Sequence, residues 1–282
     1  SQDRLEGENG DDVLFGGDGN DVLVGGGGND ILAGGDALTS SNTALDTADY
    51  SSSVNSIDVD LKVGWEGSIY HNATASGADI GVDTLYGIRK VIGGASGDNM
   101  RGSTAQEELL GGGGSDILRS GGGGDLLDGG DGAADWVDYS DWAVALTVTL
   151  TGSDIASVGG AQDSIRNVEN VIGSARNDVI RGDGLGNELN GVSGDDILQG
   201  GGGADVLDGG AGVADWVDYF DKTGAVAVAL KGINDAIVMV EGVAEDVIRN
   251  IENLQGGGGN DVLAGDDLVN ELRGLSGDDI LQ

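Results

Sequence analysis

Large apolar residues recur every nine residues along much of the chain. Each nine-residue copy follows the pattern G-G-x-G-x-D-x-U-x, where U is a large apolar residue at position 8 and position 6 is usually Asp. Fourteen copies fall in four arrays, at 7–33, 93–128, 173–208 and 256–282. A short fixed period of this kind is typical of repeat architectures rather than of a conventional globular domain.

Within each copy, the glycines predict a tight turn and the last residues predict a short strand. Glycine accepts positive φ without steric cost, and a tight turn exposes its carbonyl groups. Side chains alternate along a strand, so positions 6 and 8 point to the same, inward side. Two copies then make one full coil, and position 8 is expected to form the core ladder: Leu14, Leu23, Leu32, Met100, Leu109, Leu118, Leu127, Ile180, Leu189, Leu198, Leu207, Leu263, Leu272 and Leu281.

A second, longer period lies above the first. The segment WVDY at 136–139 recurs at 216–219, and other segments between the arrays recur at a similar separation. We therefore expect about three and a quarter tandem modules, and since neither end carries the cap that solenoids need, a segment of a longer protein. The predicted boundaries are 1–97, 98–177, 178–260 and a truncated fourth module at 261–282.

Composition excludes several functions and poses a folding problem. The chain has 57 Gly, 50 acidic and 13 basic residues, for a net charge of -37. This charge repels phosphate backbones and anionic lipids, so no nucleic-acid partner is expected, and no apolar run is long enough for membrane insertion. With no Cys and one His, cysteine-ligated zinc sites and multi-histidine metal sites are excluded. Because unscreened carboxylates oppose compaction, we expect a hard cation to cancel part of the charge.

The nonapeptide resembles that of the RTX (hemolysin-type calcium-binding repeat) family. The resemblance is clearest in GGDGNDVLVGGGGNDILAGG at 16–35, GGGGSDIL at 111–118 and GGGGADVLDGG at 200–210. Segments between the arrays, such as ADWVDYS at 134–140, also look like spacers from such proteins. The resemblance implies an all-β fold, a right-handed parallel β-roll or β-helix solenoid, with several Ca²⁺ ions between stacked Gly/Asp turns.

Position 6 supplies the candidate calcium ligands. A short Asp side chain keeps its carboxylate beside its own turn, and turns on one edge come from alternate copies, so an ion is expected between copies n and n+2. The pairs are Asp12/Asp30, Asp98/Asp116, Asp116/Asp135, Asp178/Asp196, Asp196/Asp215, Asp261/Asp279, Glu107/Asp125 and Asn187/Asp205. Asp21 is a further candidate ligand without a clear partner two copies later, and sites at Glu107, Asn187 and Asn270 are expected to be weaker or empty.

The spacers offer little other chemistry. An Asp-x-x-Asp-Tyr element at 46–50, 135–139 and 215–219 recurs in each module, which favours a structural role over a catalytic or sugar-binding one. The first spacer, 37–92, holds Trp65, Glu66, Tyr70 and His71, which indicate either a small binding site or a variable surface loop. No HExxH, G-x-S-x-G or P-loop motif occurs, so no enzymatic activity is expected of this segment.

The outward-pointing position 7 is apolar in ten of the fourteen copies. Either the spacers pack on this face or it is an association surface, and the sequence leaves both open.

Two classes of function follow from these expectations. The first is a calcium-binding structural region of an extracellular or cell-surface bacterial protein, adhesin-like or surface-layer-like, which folds on calcium binding. The resemblance implies type I secretion for it, and self-association or a surface polysaccharide are the further partners considered. The alternative is the RTX C-terminal region of a secreted enzyme or toxin, such as a protease, lipase or alginate epimerase, whose catalytic domain lies outside this segment.

Overall fold

The fold is all-β in the computed structural model, which describes residues 1–36, 38, 44–62, 64–66, 69–71 and 73–282. These residues form 32 short strands, most of three residues, and contain no helix. The predicted fold class is confirmed to that extent. Accordingly, this part of the chain has no helix that could cross a membrane.

The chain divides into two compact units. The first comprises Ser1–Val137 and Ala161–Val168 and is built on two sheets. One sheet has the order β1 (Arg4–Glu6), β3 (Val22–Val24), β5 (Asp46–Asp49), β11 (Ile88–Ile92), β13 (Glu108–Gly113), β15 (Leu126–Asp131) and β19 (Ser164–Arg166). The other has the order β2 (Val13–Phe15), β4 (Ile31–Ala33), β10 (Gly81–Tyr86), β9 (Ala73–Gly77), β6 (Ile57–Asp60), β12 (Asn99–Arg101), β14 (Ile117–Arg119) and β16 (Trp136–Asp138). A separate hairpin joins β7 (Gly64–Glu66) and β8 (Ile69–His71).

The second unit comprises Asp138–Gly160 and Glu169–Gln282 and is likewise built on two sheets. One has the order β20 (Asn170–Ile172), β22 (Glu188–Asn190), β24 (Val206–Asp208), β28 (Val243–Arg249), β27 (Ala236–Val240), β26 (Val226–Ala229), β30 (Val262–Ala264) and β32 (Ile280–Leu281). The other has the order β17 (Thr147–Thr149), β21 (Val179–Arg181), β23 (Ile197–Gln199), β25 (Trp216–Asp218), β29 (Asn253–Gln255) and β31 (Glu271–Arg273). The two-residue strand β18 (Ala156–Ser157) also lies in this unit. The predicted module boundaries stay a prediction.

Within the arrays, consecutive strands enter different sheets and each pairs in parallel with the strand two further along. Leu14 lies opposite Leu32, and this offset of two nonapeptides is the one that the repeat predicts. Where one extra residue is present, Leu118 lies opposite Val137, and the offset grows by that residue without loss of register. The side-chain alternation that places position 8 inward is therefore kept throughout the arrays.

The spacers extend the sheets with antiparallel strands. β9 pairs antiparallel with both β6 and β10, and β27 pairs in the same way with β26 and β28. In these two spacers the chain adds one reversed strand between two strands of the array direction, which satisfies its backbone hydrogen bonds within the sheet.

The position 8 residues form the core of each unit as predicted. Twelve of the fourteen are buried, whereas Leu272 is half-buried and Leu281 is 48 % exposed. β31 and β32 are the last strands of their sheets and have a neighbour on one side only, which explains the exposure. Position 7 residues point outward, and several are exposed, among them Val13, Ile197 and Val262. Their β-branched shape suits a strand surface, so this apolar stripe has a structural explanation.

The Asp-x-x-Asp-Tyr elements make a recurrent turn. Their tyrosines, Tyr50, Tyr139 and Tyr219, are buried, and each tyrosine carbonyl accepts a hydrogen bond from the N–H three residues later. The preceding aspartate accepts one from the N–H two residues later, at 2.9 Å in the case of Asp138 and Ser140. Side-chain bonding of this kind stabilises turns, in keeping with the predicted structural role.

The core ladder gives a direct stability prediction. Leu198→Ala is expected to lower the free energy of unfolding by about 2–5 kcal/mol, because it opens a cavity in the core ladder. Ile197→Ala is the matched control in the same strand, because Ile197 is 38 % exposed on the outer face; its loss is expected to be about 1 kcal/mol or less. Urea unfolding followed by circular dichroism measures both. Equal losses would contradict the assignment of inner and outer faces.

Candidate metal sites

The position 6 side chains stack into columns within each unit. In each column, a carboxylate oxygen of one residue accepts a hydrogen bond from the backbone N–H of the position 6 residue on the neighbouring strand. We call each stack an aspartate column and two neighbours joined by this bond a step. The donor–acceptor distances are 2.9 Å for Asp12/Asp30, 2.7 Å for Asp98/Asp116, 2.8 Å for Asp116/Asp135, 2.7 Å for Asp178/Asp196, 2.7 Å for Asp196/Asp215, 2.8 Å for Glu107/Asp125, 2.9 Å for Asn187/Asp205 and 2.9 Å for Asp261/Asp279. The structure thus brings together all eight predicted pairs, while their role as ligands stays a prediction.

The columns also contain carboxylates that sequence reasoning missed. The expectation that Asp21 lacks a partner is wrong, because Asp46 accepts a hydrogen bond from its N–H at 2.7 Å. Other columns are extended by residues from the spacers: Asp83 next to Asp30, Asp163 next to Asp125, Asp246 next to Asp205 and Glu252 next to Asp215.

A signal for most of these residues is present in the sequence. Asp46, Asp83, Asp163 and Asp246 each begin a triplet with a small or large apolar residue two positions later: DTA, DTL, DSI and DVI. This is the order of positions 6 to 8 of the nonapeptide. The glycines that precede a true copy are missing, so a search for whole copies passes over them.

Nearly all of the candidate ligands are buried. Eleven of the thirteen candidate aspartates are 2 % exposed or less, and Asp12 and Asp279 are half-buried. Eight of them have a second carboxylate oxygen, Oδ2, that is buried and accepts no hydrogen bond: Asp12, Asp21, Asp30, Asp116, Asp125, Asp196, Asp205 and Asp215. A buried carboxylate oxygen without a donor or a cation is costly, so these atoms indicate a site for a positive ligand.

Three aspartates near the start of an array differ in this respect. Their Oδ2 atoms accept a hydrogen bond from the N–H of their own glycine turn, at 2.7 Å from Gly94 to Asp98, 2.6 Å from Ser174 to Asp178 and 2.8 Å from Gly257 to Asp261. The turn can therefore satisfy the second carboxylate oxygen by itself, as the N–H of Ser103 also does for Glu107.

In most copies the first residue is a glycine that lies against a side-chain oxygen of position 6 and a carbonyl group. A Cβ atom added at Gly7 would lie 2.8 Å from Asp12 Oδ2 and 2.6 Å from the carbonyl oxygen of Gly25, the equivalent glycine two copies later. At Gly173 the same distances are 2.7 Å to Asp178 Oδ2 and 3.0 Å to the Gly191 carbonyl oxygen. At these positions glycine lets a carboxylate oxygen and a carbonyl oxygen share the space that a Cβ atom would fill.

Burial changes the protonation of the column. Desolvation, increased by neighbouring carboxylates, raises the pKa of Asp116 and of Asp215 to about 7 and that of Asp125 and of Asp196 to about 8. The pKa of Asp205 is raised for the same reason, with Asp246 as the repelling neighbour. The column thus disfavours its own ionised state, and a bound cation would reverse that preference.

The donor set fits a hard cation such as Ca²⁺. Within the described part of the chain, no three His, Cys, Asp or Glu side chains converge on one point. Each step offers two carboxyl or amide side chains, so the remaining ligands have to be backbone carbonyls of the glycine turns. Carboxylate and carbonyl oxygens are what Ca²⁺ prefers, whereas zinc and copper sites draw on nitrogen and sulfur. The side chains of Trp65, Glu66, Tyr70 and His71, the other candidate site, lie outside the described residues.

Comparison with known protein families bears out the resemblance. Residues 2–36, 101–133, 182–213 and 250–281 match the RTX calcium-binding nonapeptide repeat. The four matches overlap all four arrays and cover a little under half of the chain. A comparison with curated proteins finds no match. The predicted family is therefore confirmed through its repeats.

In the presence of a chelator, stability is expected to fall as the pH rises from about 5 to about 8. Asp116, Asp125, Asp196 and Asp215 have a folded-state pKa above the ordinary 3.8. The folded state therefore keeps protons that the unfolded state loses, and the stability they supply disappears as the pH passes through 7 to 8. Urea unfolding at several pH values measures this.

Two variants of that experiment locate the effect. Asp196→Asn is expected to weaken the pH dependence, because it removes one buried titrating group. Asp221→Asn, which removes the charge of an exposed carboxylate, is expected to leave it unchanged. Stability that rises from pH 5 to pH 8 in the chelated chain would contradict the prediction.

Gly173→Ala is expected to destabilise the chain by about 1–3 kcal/mol, because the added Cβ would displace the Asp178 carboxylate or the Gly191 carbonyl. Gly184→Ala is the control, since no heavy atom lies within 4 Å of the added Cβ. Thermal unfolding compares the two. Equal effects would show that the space beside the carboxylate is not restricted.

Proposed function

We propose, from the confirmed membership of this chain in the RTX calcium-binding repeat family, that it is a structural region that folds when it binds several Ca²⁺ ions. The observation that carries the proposal is the set of buried aspartate Oδ2 atoms that accept no hydrogen bond. In the bound state the paired sheets of each unit form a right-handed parallel β-roll, with the ions between stacked turns. This architecture agrees with the offset of two nonapeptides between paired strands.

The ligands would be the position 6 aspartates together with carbonyl oxygens of the glycine turns. The side-chain ligands are Asp12, Asp21, Asp30, Asp98, Asp116, Asp125, Asp135, Asp178, Asp196, Asp205, Asp215, Asp261 and Asp279. Ca²⁺ supplies the positive charge that the columns lack. Asp116 and Asp196 keep their backbone hydrogen bonds through Oδ1, while Oδ2 stays available for the ion.

Calcium binding of this kind couples to folding. A net charge of -37 and buried carboxylates both oppose the folded state when no cation is bound. Where calcium is scarce, as in a cytosol, the chain would stay unfolded and could be exported by a type I secretion system. At the millimolar calcium of an external medium, binding would supply the free energy of folding.

We further propose that the region serves a secreted or cell-surface bacterial protein as an adhesin-like or surface-layer-like element and that it is not itself catalytic. The carboxylates of the columns accept hydrogen bonds from backbone N–H groups, which gives them a structural role without a reaction. Self-association and a polysaccharide partner stay predictions from the sequence.

Circular dichroism during a Ca²⁺ titration of a chelated sample at pH 7.5 tests the proposal. The β signal is expected to appear with Ca²⁺ and to be far weaker at equal Mg²⁺, which holds its waters more tightly. Asp196→Asn removes one charged ligand and is expected to raise the calcium midpoint by about threefold or more. For scale, a tenfold change in the midpoint corresponds to about 1.4 kcal/mol. Asp221→Asn should leave the midpoint near that of the unsubstituted chain. A β signal at pH 7.5 that is insensitive to chelation would overturn the proposal.

A further inference from the structure

Two steps, at which spacers rejoin aspartate columns, differ from the rest. The column that begins with Asp12 and Asp30 ends on Asp83, which the first spacer supplies. The column that begins with Asn187 and Asp205 ends on Asp246, which a later spacer supplies. At the first end the chain brings a polar group to the carboxylate itself. At the second end it brings one to a carbonyl of the neighbouring glycine turn, and Asp246 Oδ2 accepts no hydrogen bond.

In the first unit this group is the hydroxyl of Tyr50. It donates a hydrogen bond to Asp83 Oδ2 at 2.9 Å, while Asp83 Oδ1 accepts the N–H of Asp30 at 2.9 Å. Tyr50 is 2 % exposed and Asp83 is fully buried. Both oxygens of this carboxylate are thus satisfied by the protein, in contrast to Asp116, where Oδ2 accepts no hydrogen bond.

In the second unit the group is the ammonium of Lys222. Its Nζ donates a hydrogen bond to the carbonyl oxygen of Gly201 at 2.6 Å and forms an ion pair with Glu245. Gly201 belongs to the glycine turn of the copy that carries Asp205, and its φ of +90° is one that glycine accepts readily. The lysine side chain is only 11 % exposed, and its charge acts on both Asp205 and Asp246.

The lysine therefore blocks calcium binding at this step in two ways. A turn carbonyl that already accepts an ammonium proton is a poor calcium ligand, and a fixed positive charge beside the two carboxylates repels a second cation. Tyr219 is the buried counterpart of Tyr50 in its own Asp-x-x-Asp-Tyr element, but its hydroxyl makes no hydrogen bond, so the ammonium is the group that acts on this step.

We infer that Tyr50 and Lys222 take the place of a calcium ion at the Asp30/Asp83 and Asp205/Asp246 steps, so that Asp83 and Asp246 hold no ion. The inference rests on the proposed function, since it concerns which steps of the columns bind calcium. It assigns the ends of these two columns to side chains of the protein.

Counting bound ions by native mass spectrometry at saturating Ca²⁺ tests the inference. Asp83→Asn and Asp246→Asn are compared with Asp116→Asn and Asp196→Asn, and circular dichroism in Ca²⁺ shows that each variant is folded. Each substitution keeps Oδ1 as the acceptor for the backbone N–H and replaces Oδ2 by an amide NH₂ group, which is a hydrogen-bond donor and cannot bind a cation. Asp83→Asn and Asp246→Asn are expected to bind as many ions as the unsubstituted chain, and Asp116→Asn and Asp196→Asn at least one fewer.

The outcomes separate the inference from the proposed function. Loss of an ion in Asp83→Asn or in Asp246→Asn overturns the inference at that step. If Asp116→Asn and Asp196→Asn also keep every ion, or if the unsubstituted chain binds none, the proposed function fails instead.

Lys222→Gln provides a second, independent measurement. It removes the positive charge of the Lys222 ammonium and its hydrogen bond to the Gly201 carbonyl, so the variant is expected to bind one ion more than the unsubstituted chain. An unchanged count in the folded variant would show that the ammonium does not exclude calcium from this step.

Discussion

The burial of carboxylates in columns is the constraint on which the rest of this structure depends. Each step joins the backbone N–H of one position 6 residue to a side-chain oxygen of the next, at 2.7–3.0 Å. These bonds join neighbouring strands in addition to the sheet ladder. They also bring like charges together away from water, where their repulsion is strongest. The same carboxylates therefore make stabilising hydrogen bonds to the backbone and repel one another. A bound cation would remove the repulsion and leave the hydrogen bonds in place.

The glycine content follows from this arrangement. The first glycine of a copy has a carboxylate oxygen on one side and the carbonyl of the stacked glycine on the other, as at Gly7 and Gly16. Any side chain there would separate the two oxygens. The strands, by contrast, need only three residues each, because the inward position 8 side chain supplies the apolar contact and the outward position 7 side chain suits a strand surface. Nine residues are thus enough for one turn, one carboxylate and one core side chain.

Much of this could be predicted from the sequence, because the period is strict wherever a whole copy is present. The core ladder and the eight pairs follow from counting two nonapeptides along the chain, and an extra residue before Asp135 or Asp215 moves the pair by one position only. The spacer carboxylates could not be found by counting, since 53 residues separate Asp83 from Asp30 and 38 separate Asp163 from Asp125. The reversed strand β9 was missed because its sequence, ATASG, lacks the large apolar residues that mark a strand. The exposure of Leu281 depends on the end of a sheet, which a local pattern does not describe.

Spacers of unequal length show that the geometry of the columns stays constant even where the sequence period does not. The hydrogen bond between neighbours stays within 2.7–3.0 Å whether the two residues are 18 positions apart, as for Asp98 and Asp116, or 41, as for Asp205 and Asp246. A spacer can therefore take any length and any internal structure, provided that it returns a carboxylate and an apolar residue in register. A returning carboxylate that lies beyond the last glycine turn has no second turn to supply carbonyl ligands, so its charge has to be balanced locally. Tyr50 does this with a hydroxyl that donates to Asp83, and Lys222 does it with an ammonium that donates to the Gly201 carbonyl and whose charge acts on Asp246.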